Sequence, residues 1–430
     1  MLRRMASEVP LVIRAGRLVD VVAGDVRHSQ VVVVRGDRVE SVGPDDGSVP
    51  DGARVLDLSG STVLPGLIDC HTHLAGEIET GHGYASLILR TGAQEALAGV
   101  RNARDTLRAG FTTVRDVGTF RALVDVALRD AIEAGDVLGP RMRCAGAYVT
   151  CSSGGGDVTG LAPDIDAVVP RELRFGVADS PDEVRAAVRR LLHAGADHIK
   201  VIATGAVLTE GTIPGAPEYS EDELRAAVEE AALYGAHVAA HAHGAEGMKR
   251  AIRAGVRSIE HGSLMDDETV EMLAASDTYL VADVWEGDWI AEQGRRAGWS
   301  EEVLRKNDET TEAQRVGFRK CVEAGVKLAF GTDSGVYPHG MNARQFATMV
   351  EHGMTPMQAL QSATVVAAEL IGWRDRVGSL EPGRFADLIA VREDPIRAVA
   401  ALTDVPLVVK GGEVVRDDRG AESRGPEDEG

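Results

Sequence analysis

Cysteine is scarce in this chain. Its 430 residues hold four, Cys70, Cys144, Cys151 and Cys321, and no two stand in the Cys-x-x-Cys spacing of a redox pair or a thiolate zinc site. That argues against a disulfide scaffold and fits a reducing compartment, so the cytoplasm is the expected location. Long apolar runs are also missing. No stretch offers the roughly 20 apolar residues that a membrane-spanning helix needs, and the opening "MLRRMASEVPLVIRAG" is interrupted by Glu8 and Pro10 before a secretory apolar segment can form. Positive charge is in deficit: 46 lysines and arginines face 67 acidic residues, a formal net charge of −21. This balance disfavours nucleic acid and anionic membranes as partners and leaves a small-molecule substrate, whose anionic groups would need a local cationic site.

What is present is enough apolar material, 44% of the residues, for a large core. The first sixty residues read as short Val-rich strands broken by Gly and Asp turns, and "ADLIAVRED" and "PLVVKGGEVVRDD" resume that style near the end. The two flanks, 8–63 and 375–418, are expected to meet in one small composite β-sandwich, followed by a charged, disordered tail over 419–430. Between them, "LRAGFTTVRDVG", "LHAGADHIKVIA", "LYGAHVAAHAHG", "IRAGVRSIEHGS" and "VEAGVKLAFGTDSG" repeat one unit. Each is an amphipathic helix stopped by Gly110, Gly195, Gly235, Gly255 or Gly325 and followed at once by a strand. Ser180 with Glu183, Ser220 with Glu223, and Thr355 with Gln358 look like helix N-caps with their box partners. Further strands near 64–70, 141–149 and 279–285 bring the total to about eight βα units, which predicts an α/β fold with a (β/α)8 TIM barrel over 64–374. The rival, a doubly wound open sheet, would bring a Gly-rich phosphate loop after its first strand, and "DCHTHLAG" is not one.

In such barrels chemistry sits at the C-terminal ends of the strands. Those ends here carry His71 and His73, Lys200, His241, His261 and Asp333. Residues two apart on a strand share a face, so His71 and His73 point inward together while Cys70 and Thr72 point away. Any one of these is explained as a hydrogen-bonded core residue; six at strand ends are not. Burying four imidazoles, an amine and a carboxylate in one barrel mouth is costly unless a cation compensates them. Nitrogen and oxygen donors without thiolate suit zinc, with manganese, cobalt or nickel as alternatives. Lys200 is the odd member. A desolvated amine beside positive charge loses its proton and can add carbon dioxide, giving a carbamate that bridges two metals; the plain alternative is a salt-bridging lysine. Tyr148 and Tyr219 are candidate binders of a substrate carboxylate or structural tyrosines, His198 reads as a core residue, and His82 as a loop histidine whose neighbours Glu77 and Glu79 would favour a cationic substrate end.

With "LPGLIDCHTH", "HIKV", "AHAHG", "SIEHG", "GTDSG" and the late "GSLEPGRFADLIAV" in this order, the chain resembles the metal-dependent amidohydrolase superfamily over nearly its whole length. Its motifs are most similar to the imidazolonepropionase-like branch, which includes Xaa-Pro and Xaa-Arg/Lys dipeptidases and ochratoxin-hydrolysing enzymes. The resemblance implies that His71, His73 and Asp333 hold one metal, that His241 and His261 hold the other, and that carboxylated Lys200 bridges them. It implies that His243 faces the substrate carbonyl or carboxylate. The chemistry that follows is attack by a hydroxide held between two metals on an amide carbonyl, with Asp333 passing the proton to the leaving amine.

A dipeptide or N-acyl amino acid is the expected substrate and a homo-oligomer the expected assembly. An ochratoxin-like or other aromatic amide or carbamate is one alternative; ring opening or deamination of a heterocycle, often run on one metal without a bridging lysine, is another. A barrel that kept its shape and lost its metals would show gaps in the ligand set, and there are none. Two departures from the branch stand out: residues 150–157, "TCSSGGGD", have no histidine where Gly-Gly-His is common, and Ala206 replaces a common glycine. The Gly/Ser-rich run 150–172 is a candidate mobile active-site loop.

Overall fold

The computed structural model describes residues 9–76, 87 and 89–420. Glu77, Glu79, His82 and the tail beyond 420 lie outside them. Chain order runs through β1 (Leu11–Asp20), β2 (Asp25–Arg35), β3 (Arg38–Pro44) and β4 (Arg54–Pro65) before the first buried parallel strand, β5 (Leu67–Thr72). There follow β6 (Phe111–Asp116), β7 (Arg141–Cys144), β8 (Tyr148–Val149), β9 (Ile199–Ile202), β10 (Val238–Gly244), β11 (Ser258–Leu264) and β12 (Tyr279–Val281). The chain ends in β13 (Leu388–Val391), β14 (Leu407–Lys410) and β15 (Glu413–Asp417).

Both flanks enter one sheet. Its order is β15-β14-β13-β4-β1-β2-β3, with β4 antiparallel to β13 from Thr62–Val391 to Pro65–Leu388. Leu11, Ile13, Val32, Val34 and Leu58 from the front of the chain pack with Leu388, Ala390, Leu407 and Val409 from its end. Full burial of each Val, Leu or Ile contributes about 1.5–3 kcal/mol, so the shared cluster ties the two flanks together.

The intervening strands are parallel, and β5, β6 and β10 are buried along their whole length, which suits continuous apolar runs covered by helices on the outside. All five helix-end glycines adopt positive φ, between 67° and 104°, where a side chain would be strained. Ser220 and Thr355 form reciprocal capping boxes with Glu223 and Gln358. Ser180 accepts from the Glu183 amide, but the Glu183 side chain reaches the amide of Asp179 instead, so this box is incomplete.

One expectation needs correction. The parallel strands do not form a single closed ladder: they divide into a three-stranded sheet, β5-β6-β7, and a five-stranded sheet, β12-β11-β10-β9-β8. The segment "KLAFGTDS" at 327–334, expected as the eighth strand, forms isolated parallel bridges, Leu280–Leu328 and Thr72–Ser334, and backbone hydrogen bonds such as Cys70 N to Phe330 O, without a continuous ladder. The reason is local. Asp333 has φ +56°, and a side chain on Gly331 would lie 2.2 Å from Val281 Cγ1 and 2.8 Å from His71 Cβ. The backbone here bends to press against β5 rather than running extended beside it. No helix among the described residues is long and apolar enough to cross a membrane.

Candidate metal centre

Six of the strand-end residues meet in one cleft. His71, His73, Lys200, His241, His261 and Asp333 line it together with His243 and Tyr148. Three groups of side chains among the described residues offer ligating atoms within 4.8 Å of one another: His71 with His73 and Asp333, His241 with His243 and His261, and His261 with Asp283, Glu286 and Asp333. The His71 and His261 rings lie 4.8 Å apart, so the groups adjoin. Cys70 turns outward, as alternation requires, into a cluster with Ile68, Tyr279 and Ala367.

Each imidazole has one nitrogen occupied, which determines what the other can do. His71 Nδ1 lies 2.9 Å from Glu260 Oε2, His73 Nδ1 lies 2.7 Å from the Gly118 carbonyl, and His261 Nδ1 lies 2.9 Å from Asp283 Oδ2. Acceptors at these positions put the proton on Nδ1 and leave Nε2 as a lone pair. His71 Nε2 and His73 Nε2 then stand 3.4 and 3.0 Å from Asp333 Oδ1, an oxygen that is buried and without a hydrogen-bond partner. Two nitrogen lone pairs and a carboxylate oxygen converging with no proton between them repel, and a divalent cation turns that repulsion into binding. The donor set therefore fits a metal. His243 Nδ1 lies 2.8 Å from Ser263 Oγ, and His241 differs in donating from Nε2 to the Gly205 carbonyl at 3.3 Å, which leaves its Nδ1 as the lone pair.

Backbone strain marks the same residues. Among the described residues only five other than glycine have positive φ, and His261 at 69° and Asp333 at 56° are two of them. Such conformations cost of order 1–3 kcal/mol and persist where the surroundings hold them for a task.

Burial gives the site its electrostatics. Lys200, 2% exposed, has its amine pushed down to about 8 by desolvation, so a neutral, nucleophilic fraction exists near neutral pH. Desolvation and the Lys200 charge press His71 down to about 4; desolvation and neighbouring His261 take His243 to about 3. Burial would raise Asp333, but His71 and His73 facing it hold it below the ordinary carboxylate range.

The sign for stability follows. An unfolded histidine protonates near 6.5, so stability tied to neutral His243 is complete above that pH and is lost as pH falls toward about 3. Asp69 and Glu218, both pushed up to about 7 by burial, act in the opposite sense: their contribution is complete below about 4 and fades as pH rises through 7. In chelator-treated protein, the stability advantage of wild type over His243→Asn is accordingly expected to shrink between pH 7.5 and 4.5. Urea midpoints at both pH values check this, and a constant difference would contradict it.

Not every expected residue arrives. Tyr219 does not line the cleft: it is packed among Leu224, Ala227 and Val201, and its hydroxyl donates to the Ala178 carbonyl at 2.8 Å. The chain turns into the Ser220 cap directly after it, which directs the ring into the layer between barrel and helices. Tyr148 does line the cleft, its hydroxyl 3.2 Å from His73 Nδ1. His198 is buried below the site beside Arg115 and Arg143, as expected of a core residue. Ala206, Gly155 and Gly156 lie on the cleft wall, where the Gly155 amide is held by Glu218.

Several residues escaped the sequence reading. Glu260, fully buried, receives His71 Nδ1 on one side and the guanidinium of Arg115 at 2.8 and 2.9 Å on the other. Asp283, which holds His261, is itself held by Gln314 Nε2 at 2.6 Å. Strict alternation puts Glu260 and His261 on opposite faces of β11. The left-handed φ of His261 breaks that period, so both serve the centre. Asp69 works from behind, accepting from the His71 amide, Thr332 and Asn342 and so tying β5 to the Asp333 turn.

Comparison with known proteins places this geometry among relatives. The model of the amidohydrolase family matches residues 62–415. Ochratoxinase of Aspergillus niger is 32% identical over 371 residues, covering 82% of this chain and 75% of its own. A crystal structure of a Xaa-Pro dipeptidase with methionine bound in its active site is 40% identical, with a TM-score of 0.89 over 95% of this chain and 100% of that one. A prolidase complexed with N-methylphosphonate-L-proline is 29% identical, with a TM-score of 0.87 over 95% of this chain and 100% of that one.

Proposed function

This chain belongs to the amidohydrolase family, and from that premise we propose that it cleaves the amide bond of a dipeptide or an N-acyl amino acid at a two-metal centre. It is an enzyme that hydrolyses C–N bonds. The observation that carries the finer reading is the convergence of His71 Nε2 and His73 Nε2 on the unpartnered Asp333 Oδ1, with a second imidazole group alongside. In this reading the two parallel sheets are the halves of a (β/α)8 barrel over 64–374, with a composite β-sandwich from 8–63 and 375–418.

His71, His73 and Asp333 would hold one divalent cation, His241 and His261 the other, and Lys200, as its N-carboxylate, would join them. When bound, the cations, with zinc the expected identity, would polarise the scissile carbonyl and lower the pKa of the attacking water. The chain's own residues do the rest. Asp333 accepts the water's proton and passes it to the departing nitrogen, for which its position beside both imidazoles is suited. His243, oriented by Ser263, presents Nε2 to the substrate carbonyl or carboxylate, and Tyr148 offers its hydroxyl from beside His73.

A second reading, an aromatic amide of the ochratoxin kind, draws support from the apolar part of the cleft wall, Phe120, Ile202, Val207, Leu208 and Ile290, and from the likeness to ochratoxinase. Lys200 in the cleft argues against the one-metal heterocycle chemistry considered above.

Two measurements test the proposal. Dipeptides, N-acyl amino acids and an ochratoxin-type amide are assayed for released amine; turnover of none of them overturns it. Elemental analysis of protein purified without chelator is expected to give close to two divalent metals per chain, as two-metal hydrolases carry. Lys200→Ala is expected to halve that content or worse; full occupancy with turnover in the variant would remove the carbamate.

A further inference from the structure

A second, smaller cavity lies at the N-terminal ends of the parallel strands, away from the candidate metal centre. His198, His237 and Arg257 each stand immediately before a strand, β9, β10 and β11, and these strands are neighbours in the five-stranded sheet. Together with Arg115 of β6 and Arg143 of β7, from the three-stranded sheet, they line a space of about 10 Å³, room for one water-sized particle. Leu370 and Ile371 add apolar atoms to its wall. Three guanidinium groups and two imidazoles thus face one another across the two sheets, and no carboxylate is among the lining groups.

Their charge is only partly answered. Arg115 is paired with Glu260. Arg143 donates to the Asp197 carbonyl at 3.0 Å and Arg257 to the Glu369 carbonyl at 3.1 Å, both neutral acceptors, while the Asp197 carboxylate is engaged by Arg129 at 2.7 Å. The field reaches His237, whose imidazole is pushed down from its ordinary value by desolvation and by Arg257, Arg143 and Arg115. Hydrogen bonding is unfinished as well. His198 is 4% exposed, yet neither of its ring nitrogens has a hydrogen-bond partner, and the buried Nε of Arg257 has none. An imidazole always carries at least one N–H, so two buried donors beside the cavity are unmet, which native interiors seldom tolerate.

We propose that this cavity binds one small monovalent anion, a halide such as chloride, held by the N–H groups of His198 and Arg257 between the charges of Arg143 and Arg257. Size decides the class, because a space for one water-sized particle excludes phosphate and carboxylates. Charge decides between an ion and a water: a water can accept from a donor, but it leaves two guanidinium charges unanswered. The chain as a whole carries −21, so an anion is retained only where such a cationic cluster is built. His237, Val238 and Arg257 also line a larger groove of about 360 Å³ alongside, which gives the ion a way in. Bound there, the ion offsets repulsion between cations of the two parallel sheets and so fastens one sheet to the other. This role is independent of which amide the cleft accepts.

The experiment uses the metal-loaded full chain. Crystals are soaked in sodium bromide, and urea unfolding is followed in chloride against gluconate, an anion too large for the cavity, at constant ionic strength. Bromide is expected to give an anomalous peak between His198 and Arg257. Above the dissociation constant, each tenfold rise in chloride is expected to lower the unfolding equilibrium constant about tenfold, as for one site present only in the folded state. Arg257→Met is expected to abolish both the peak and the chloride dependence. Arg143→Met, which removes a charge from the other sheet and leaves Arg257 Nε–H in place, is expected to weaken both. Chloride bound at the metal centre instead would leave the dependence intact in either variant, and that result overturns the assignment. So does a cavity without bromide, or a wild-type stability indifferent to chloride.

Discussion

Asp333→Asn is expected to lower kcat/KM by at least about 10⁴-fold, the upper range for one general acid–base group, and to empty the site that His71 and His73 share with it. The carboxylate is asked for two things: a negative oxygen facing two lone pairs, and a proton acceptor beside the attacking water. Asparagine supplies neither. Its amide can instead donate a hydrogen bond to His71 Nε2 or His73 Nε2, now 3.4 and 3.0 Å from Asp333 Oδ1, closing the cluster without a cation. The metal-free variant is therefore expected to unfold at a urea concentration no lower than metal-free wild type. Kinetics, elemental analysis and denaturation on one preparation check all three. Retention of a tenth of the activity would remove Asp333 from the chemistry.

Arg115→Met tests the support beneath the candidate metal ligands. Arg115 spends its guanidinium on the Cys70 carbonyl at 2.6 Å, Ser258 Oγ at 2.9 Å and both oxygens of Glu260. Removing it takes from the fully buried Glu260 its main counter-charge, and breaking one side of a buried pair costs about 3–5 kcal/mol. The Glu260 carboxyl, raised by burial but held below its ordinary range chiefly by Arg115, would then take up a proton. His71 Nδ1 would lose its ionised acceptor, for which a 10- to 100-fold loss of metal affinity is typical. Pairing Arg115→Met with Glu260→Gln is expected to recover most of the lost stability but not the metal affinity, because the amide relieves the buried charge without restoring a carboxylate to His71. Equal destabilisation in single and double variants would mean that Arg115 acts by packing alone.

Much of the site was legible because its signals are local. His71 and His73 stand two apart on a strand, and that spacing alone directs both inward. The repeated helix, glycine and strand unit announced itself through Gly110, Gly195, Gly235, Gly255 and Gly325, all of which adopt positive φ. For Tyr219 the sequence left a substrate contact and a structural role both open, and the structural one holds, its hydroxyl donating to the Ala178 carbonyl. Glu260 and Asp283 were missed because their partners, His71 and His261, lie on other strands: His71 and Glu260 are 189 positions apart. The eighth strand reduced to isolated bridges because Gly331 and the left-handed Asp333 bend the backbone into close contact with His71, a long-range fit that a period of two does not record.

By itself the amino-acid order determined the helix ends, the alternation of elements and the identity of the candidate metal ligands, since each depends on residues a few positions apart. The tertiary structure alone decided which nitrogen of each imidazole stays unprotonated and which acids stand behind the candidate ligands. Those outcomes depend on burial and on hydrogen bonds between strands far apart in the chain, and burial is a property of the assembled fold.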